Sequence, residues 1–182
     1  MKMKKLLAAG IMLAFTSLNA QMLSFGLRGG VQRISNEGSE NYPAIGLFAT
    51  AKPPLINAGF QISADYFGKK SEIAIGFCER KTKILALDAS LFYNVHIPTT
   101  PLTLYFGIGG GIQSWTTEVK GFECGNSKDT DNHTDVHALL GTRVKPPLSP
   151  VGAVFELKYS KVFLEDDNLN DLGFMGGLYF GF

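Results

Sequence analysis

The amino-acid sequence predicts an all-β protein, an eight-stranded antiparallel up-and-down β-barrel that spans a membrane. Three observations predict this fold class. Apolar and polar residues alternate with a period of two through eight segments, and no segment sustains the helical period. The connections alternate between short proline-rich turns and longer polar loops. Charged residues inside the segments fall on the face opposite the apolar one, except Arg33, Lys83 and Lys161 at the long-loop ends, as in a barrel with lipid outside.

Residues 1–20 are predicted to form a separable secretory signal. Positions 1–5 are basic, positions 6–15 are apolar, and positions 16–20 supply the small residues of a cleavage region. The apolar stretch is too short to be a membrane-spanning helix. No cysteine lies near the cleavage point, so nothing indicates a lipoprotein. The barrel domain is therefore expected over residues 21–182.

Net charge argues against a nucleic-acid partner. The 17 basic residues include Lys2, Lys4 and Lys5, so removal of the signal leaves 14 basic residues against 16 acidic ones. A nucleic-acid-binding domain needs a basic face. The 21 glycines and 14 phenylalanines are instead typical of a curved sheet with one apolar face.

The first four strands are predicted at residues 22–34, 43–51, 57–67 and 83–96. Each is justified by the apolar residues on one face: Leu23, Phe25, Leu27, Gly29 and Val31; Ile45, Leu47 and Ala49; Ala58, Phe60, Ile62, Ala64 and Tyr66; Leu85, Leu87, Ala89, Leu91, Tyr93 and Val95. The other face of the third strand carries Asn57, Gly59, Gln61, Ser63 and Asp65, which fits a strand with one apolar face only.

The last four strands are predicted at residues 102–117, 134–145, 151–163 and in the tail that ends at Phe182. Their apolar faces carry Leu102, Leu104, Phe106, Ile108, Gly110 and Ile112; Val136, Ala138, Leu140, Thr142 and Val144; Val151, Ala153, Phe155, Leu157 and Tyr159; Leu172, Phe174, Gly176, Leu178, Phe180 and Phe182. The glycines in these strands are explained by barrel curvature and by room for large lumen neighbours, because strands and not helices follow them.

The connections predict the orientation of the barrel. Short turns at 52–56, 97–101 and 146–150 hold seven of the eight prolines, and longer polar loops are predicted at 35–42, 68–82, 118–133 and 164–170. In outer-membrane barrels the short turns face the periplasm. We therefore expect the proline turns on the periplasmic side of the membrane and the four longer loops outside the cell.

The lumen is predicted to hold a network of charged side chains: Arg28, Asp65, Asp88, Arg143, Glu156 and Lys158. Eight strands enclose an interior that side chains can fill, and charges in a confined space must pair or draw in water. We expect Arg28 and Lys158 to bridge the acidic groups and to plug the lumen. The alternative is a column of trapped water between unpaired groups, which would leak.

These features together resemble the small eight-stranded outer-membrane barrels of the OmpA and OmpX type, over residues 22–182. The resemblance implies the outer membrane of a Gram-negative bacterium, contact with lipid and lipopolysaccharide, a monomer and no cofactor. It also implies that the aromatic tail is read by the barrel-assembly machinery, through Phe174, Leu178, Phe180 and Phe182. The end of the signal resembles signals of Bacteroidetes-type bacteria.

A set of basic residues is predicted to face lipopolysaccharide phosphates, which attract such groups. The set is Arg33, Lys69, Lys70, Arg80, Lys81, Lys83 and Lys161. Ordinary loop solubility explains the charges of the second loop equally well, so both interpretations stay open.

Cys78 and Cys124 lie in the second and third predicted loops, in a compartment that oxidises thiols. We expect them to form a disulfide that clamps the two loops, with at most about 4 kcal/mol of stabilisation in the chain-entropy model.

No enzyme or metal site is predicted. His137 and Asp135 share the lumen face, but the sequence offers no Ser-His-Asp arrangement with a nucleophile in reach of its base. The acidic stretch 129–135 lacks the glycine and the closing glutamate of a calcium loop, so a solvated acidic loop is the better interpretation. The stretch 165–167 is interpreted in the same way.

The function expected from the sequence is structural or interactive, through four extracellular loops around a plugged lumen. Two alternatives remain. One is a narrow channel for small solutes, and the other is a soluble lipocalin-like barrel, which would need apolar residues inside and polar ones outside.

Overall fold

The computed structural model describes residues 23–35, 40–73, 78–121, 126–164 and 168–181. They form eight strands: β1 (Leu23–Ser35), β2 (Glu40–Ala51), β3 (Ala58–Ile73), β4 (Cys78–His96), β5 (Leu102–Gly121), β6 (Ser127–Val144), β7 (Val151–Phe163) and β8 (Asn168–Gly181). No helix within these ranges is long and apolar enough to cross a membrane. The predicted signal at 1–20 lies outside the described residues.

The strands close into one barrel in sequence order, and every neighbouring pair is antiparallel. Closure is made by β1 and β8, which pair from Ser24 with Gly181 to Ser35 with Asn170. Full closure leaves no open sheet edge in the body of the barrel, which is what a sheet in lipid requires. The predicted eight-stranded antiparallel barrel is confirmed.

The three proline-rich connections are tight turns at one end of the barrel. Each contains a backbone hydrogen bond across three residues: Ile56 N to Pro53 O at 3.4 Å, Thr100 N to Ile97 O at 3.3 Å and Ser149 N to Pro146 O at 3.2 Å. Proline fits here because it fixes φ and because these positions need no ladder N–H.

At the other end the strands continue into segments that the sequence predicts as loops. Strand residues 68–73 and 78–82 belong to the predicted loop at 68–82, and strand residues 118–121 and 127–133 to that at 118–133. The prediction relied on alternation, and alternation is lost where both faces of a hairpin meet water. Strand boundaries in this part of the chain were therefore predicted wrongly.

The continued parts of β3–β6 form a four-stranded extension at this end. The register of β4 and β5 runs to Cys78 with Gly121, and that of β5 and β6 to Val119 with Ser127. In the described register β7 joins β6 only from Thr134 onward. The extension, defined as residues 68–73, 78–83, 116–121 and 127–133, therefore rises beyond the closed body of the barrel.

The two faces of the barrel have opposite character. Large apolar side chains such as Leu27, Ile45 and Ile108 project outward with exposures of 64%, 64% and 71%, whereas Arg28 and Asp65 are buried in the lumen. This is the reverse of the arrangement that a soluble ligand-binding barrel needs, and it is the arrangement of a barrel surrounded by lipid.

Candidate functional site: the barrel lumen

Two apolar clusters occupy the lumen, one near each end. The turn-side cluster consists of Phe48, Phe92, Tyr105, Leu139, Val154 and Tyr179. The loop-side cluster consists of Ile34, Tyr42, Ala44, Phe67, Ile84, Ala86, Val162, Leu169 and Met175, with Trp115 and Leu164 packed against it. Between the two clusters lie two networks of polar side chains.

The first network is centred on Arg28. Its guanidinium donates to both carboxylate oxygens of Asp65, at 3.0 and 2.6 Å, and also to Glu156. All three side chains are at most 3% exposed. A guanidinium matches a carboxylate in this two-point geometry, which makes such pairs strong and directional.

Glycines on both neighbouring strands make room for Arg28. The residue pairs with Gly46 on β2 and with Gly177 on β8. A Cβ at Gly177 would lie 2.7 Å from the Cα of Arg28, which is closer than real contacts allow. The small residues on either side therefore let the long side chain lie across the lumen toward Asp65 and Glu156.

Three more side chains complete this Arg28 network. The amide of Gln61 donates to Glu156 at 3.0 Å, and the hydroxyl of Tyr105 donates to the same oxygen at 2.8 Å. Arg143 donates to the Gln61 oxygen at 3.2 Å and stacks 4.5 Å from the centre of the Tyr105 ring. The network thus contains two guanidinium groups and two carboxylates, with Arg28 bonded to both acids and Arg143 joined through Gln61.

The second network is centred on His137. Its Nδ1 lies 2.9 Å from Oδ1 of Asp135, and its Nε2 lies 2.8 Å from the hydroxyl of Ser90. Lys158 donates to Oδ2 of Asp88 at 2.6 Å, while Oδ1 of Asp88 lies 3.7 Å from Nδ1 of His137. All of these side chains are buried.

Gln113 and Asp171 extend this His137 network toward the loops. The Gln113 amide donates to Asp135 and to Asp171, at 3.4 Å each. Trp115 donates to the Gln113 oxygen at 3.0 Å, which orients the amide nitrogen toward the acids. This network therefore contains three carboxylates and one ammonium group, and the ammonium group bonds to Asp88.

Ser90, His137 and Asp135 do form the hydrogen-bonded arrangement that the sequence did not predict. Ser90 and His137 lie on β4 and β6, separated by β5, and the intervening residue of β5 is Gly109, which pairs with both. A Cβ at Gly109 would lie 2.5 Å from Nε2 of His137. The expectation was wrong because Ser90 and His137 are far apart in the sequence and meet only across β5.

The predicted lumen charges other than Arg143 form ion pairs in two separate groups. The structure brings Arg28 together with Asp65 and Glu156, and Lys158 together with Asp88. Arg143 reaches the acids only through Gln61. The loop-side cluster was not predicted. Consecutive apolar residues such as 84–87 indicate it, because neighbouring residues of a strand point to opposite faces and one of each pair must point inward.

The predicted lipopolysaccharide-facing residues lie at the loop end but differ in surroundings. Arg33 and Lys161 are exposed on the outer face, and Lys83 forms an ion pair with Glu118 at 2.8 Å. Lys69 lies 6.0 Å from the ring of Tyr42. The remaining members Lys70, Arg80 and Lys81 belong to the extension, where Lys70 pairs in register with Lys81.

The ion pair of Lys83 and Glu118 lies in the extension, outside the apolar belt. The hydrogen bond between the two groups raises the pKa of Lys83 and lowers the pKa of Glu118. Both groups are solvated, so this pair belongs to the outer surface and not to the lumen.

The remaining predictions concern covalent, acidic and terminal features. Cys78 is disulfide-bonded, whereas its predicted partner Cys124 lies outside the described residues, as do the acidic stretch 165–167 and Phe182. The acidic stretch 129–135 is a strand and not a loop, with Asp135 buried in the lumen. In the tail, Phe174, Leu178 and Phe180 belong to β8, and the Phe180 ring packs 5.8 Å from that of Phe25.

The barrel is similar in structure to outer-membrane proteins of known structure. No protein-family model and no curated protein matches the chain. Its structure is similar to neisserial surface protein A, with a TM-score of 0.69 and 13% identity over 88% of this chain and 97% of that one. A major outer membrane protein from Thermus thermophilus gives a TM-score of 0.65 and 9% identity over 88% and 99%.

The attachment invasion locus protein Ail of Yersinia pestis, solved with the heparin analogue sucrose octasulfate, gives a TM-score of 0.56 and 15% identity over 87% and 97%. At these identities the likeness establishes the fold. The expected resemblance to small eight-stranded outer-membrane barrels is confirmed.

Proposed function

We propose that the protein is an integral barrel of the outer membrane of a Gram-negative bacterium, with a closed lumen and a structural or surface-interaction role. The observation that carries this proposal is the inverted distribution of side chains, with apolar residues outward and charges inward. The fold that the chain shares with outer-membrane proteins supports the same location. Purified protein should migrate differently on gels with and without boiling, and identical migration would count against a membrane barrel.

The loop end is proposed to face the outside of the cell. It carries the four-stranded extension, whereas the opposite end has only tight proline turns. Single cysteines in a variant without the native cysteines test this orientation. A membrane-impermeant thiol reagent applied to intact cells should label position 127 (Ser127→Cys) and not position 99 (Thr99→Cys). Labelling of position 99 in intact cells would reverse the topology.

The lumen is proposed to be closed to solutes. The two apolar clusters and the buried networks between them support this proposal, because the interior of an eight-stranded barrel is small enough for side chains to fill. In planar bilayers the protein should show rare, small conductance steps at most. Steady porin-sized conductance, unchanged in Arg28→Ala or Asp88→Ala, would favour the narrow-channel alternative.

The surface role is proposed to include contact with lipopolysaccharide through the basic outer residues. Arg33, Lys81 and Lys161 occupy outer-face positions at the loop end, where headgroup phosphates lie. Replacing these three residues with glutamine should reduce the stabilisation that lipopolysaccharide confers in reconstituted vesicles, measured as the shift in thermal unfolding. The matched control is Lys69→Gln, because Lys69 lies against Tyr42. An equal loss in the control variant would contradict the assignment.

The aromatic tail is proposed to carry the signal for the barrel-assembly machinery. Phe174 and Leu178 project outward from β8, as expected of residues read before insertion into the membrane. Replacing Phe180 and Phe182 with alanine should lower the amount of folded protein in the outer membrane, while the same variant still refolds from urea into detergent. Failure of both processes would indicate a stability defect instead.

The protein is proposed not to be an enzyme, despite the geometry of Ser90, His137 and Asp135. Ser90 is 3% exposed and its hydroxyl faces His137 inside the filled lumen, so a substrate carbonyl has no approach to it. A fluorophosphonate probe should leave the folded protein unlabelled. Labelling that disappears in Ser90→Ala would show a reactive serine and contradict the proposal.

A further inference from the structure

We propose that the His137 network binds one divalent transition-metal cation of the zinc class inside the barrel. The ligands are Nδ1 of His137, one carboxylate oxygen of Asp135 and one of Asp88. This site is separate from the surface role proposed above and does not depend on it.

The geometry of the donor atoms fits such an ion. One atom from each of the three residues lies within 4.8 Å of the others. Nδ1 of His137 is 2.9 Å from Oδ1 of Asp135 and 3.7 Å from Oδ1 of Asp88. Zinc takes nitrogen and oxygen ligands at about 2.0–2.2 Å in a tetrahedral arrangement, so its ligands lie roughly 3.3–3.6 Å apart. Small movements of the two carboxylates therefore suffice.

Asp88 supplies an independent sign that a ligand belongs here. Its side chain is 2% exposed, and Oδ1 has no hydrogen-bond partner although Oδ2 is bonded to Lys158. A buried carboxylate oxygen without a donor is unfavourable. The free oxygen points toward Nδ1 of His137, which is the position that a shared cation would occupy between them.

The charge of the network matches a divalent cation. The network contains three carboxyl groups, those of Asp88, Asp135 and Asp171, and one ammonium group, that of Lys158. The acidic groups therefore outnumber the basic one in a buried site. A divalent cation balances this excess, and imidazole together with carboxylate suits first-row transition metals.

The glycine run of β5 forms the space for the ion. Gly111 pairs with Asp88 on one side and with Asp135 on the other. A Cβ at Gly111 would lie 3.1 Å from Oδ2 of Asp135 and would also overlap Oδ1 of Asp88. The missing side chain therefore lets the two carboxylates meet across β5.

Ser90 holds the imidazole in the orientation that binding requires. When the metal takes the Nδ1 lone pair, the single ring proton sits on Nε2 and is donated to the Ser90 hydroxyl, 2.8 Å away. A second partner of this kind fixes the tautomer of metal-binding histidines. Without the metal, Nδ1 lies 2.9 Å from Asp135 and Nε2 lies 2.8 Å from Ser90, so each ring nitrogen has a hydrogen-bond partner.

In the test the metal is added during folding, because the apolar clusters at both ends of the lumen would hinder its entry into the folded barrel. The chain lacking residues 1–20 is refolded into detergent with zinc or with a chelator, freed of unbound metal by gel filtration, and analysed for zinc by mass spectrometry. We expect one zinc per chain. His137→Gln and Asp135→Asn should lower zinc affinity at least about tenfold, whereas His133→Gln, on the same strand, should leave it unchanged.

Lys158→Met gives a change of opposite sign. It removes an ammonium that repels the metal and competes for Asp88, so zinc affinity should rise more than about tenfold. An equal zinc content in wild type and His137→Gln, or its loss in His133→Gln, would overturn the proposal.

A measurement on the wild-type chain covers the case in which a ligand variant does not fold. Cobalt loaded in place of zinc should give the visible absorption bands of cobalt bound by nitrogen and oxygen ligands, and added zinc should abolish them. Wild-type protein without cobalt bands and without retained zinc would overturn the proposal.

Discussion

The Arg28 network and the His137 network occupy the same lumen and differ in charge balance. In the first, Arg28 bonds to Asp65 and Glu156, Arg143 joins through Gln61, and every carboxylate oxygen has a donor, while Nε of Arg143 has no partner. In the second, three carboxylates accompany one ammonium group, that of Lys158, and oxygen atoms of Asp88 and Asp171 have no hydrogen-bond partner.

The difference in charge balance indicates that the two networks have different roles. In the Arg28 network every carboxylate oxygen accepts a hydrogen bond, so the acidic groups are satisfied by the side chains around them. An acid-rich network is incomplete by itself and is suited to bind a cation. The predictions below test this contrast, and stability is measured in the presence of a chelator so that metal binding does not contribute.

The largest effect is expected from Arg28→Met. The substitution leaves Asp65 and Glu156 buried without their cation, and breaking one side of a buried ion pair costs about 3–5 kcal/mol. Reversible urea unfolding in detergent or lipid vesicles measures the loss of folding free energy. A loss below about 1 kcal/mol would mean that water already solvates the two carboxylates.

Asparagine in place of aspartate is expected to act in opposite directions in the two networks. Asp65→Asn removes charged hydrogen bonds to Arg28 and should destabilise the barrel by about 1.5–3 kcal/mol.

Asp171→Asn keeps an acceptor for Gln113 and removes one of three crowded negative charges, so it should be neutral or stabilise by about 1 kcal/mol at most. Urea unfolding compares Asp65→Asn with Asp171→Asn, and equal destabilisation by both variants would remove the distinction between the networks.

Gly109→Ala is expected to disturb the His137 network through space alone. The added Cβ would lie 2.5 Å from Nε2 of His137 and 2.8 Å from the Cα of Ser90. Overpacking of this kind costs about 1–3 kcal/mol. Gly29→Ala is the matched control, because a Cβ there faces outward and meets only a backbone oxygen at 3.6 Å. Equal effects of the two variants would assign the cost to strand backbone and not to the lumen.

The smallest effect is expected from Lys83→Ala. Its ion pair with Glu118 is on the solvated extension, and exposed ion pairs contribute little to folding. Urea unfolding should give the wild-type midpoint within experimental error. A loss comparable to that of Arg28→Met would show that the extension, and not the lumen, holds the barrel together.

Much of the architecture follows from the sequence. Alternation assigned Leu27 and Ile108 to the lipid face and Arg28 to the lumen, and the proline turns marked one end of the barrel. The loop boundaries were wrong because hairpins that leave the membrane are wet on both faces, so strands such as 127–133 carry no period-two signal.

The sequence by itself determined the number of strands, the face on which each side chain lies and the presence of charges in the lumen. Only the tertiary structure decided which of these side chains meet. The alternation of residues tells which face of the sheet a side chain is on, but not its position along the barrel axis. That position depends on the register of every neighbouring strand pair and on closure between β1 and β8. Ser90 reaches His137 because that register places Gly109 between them.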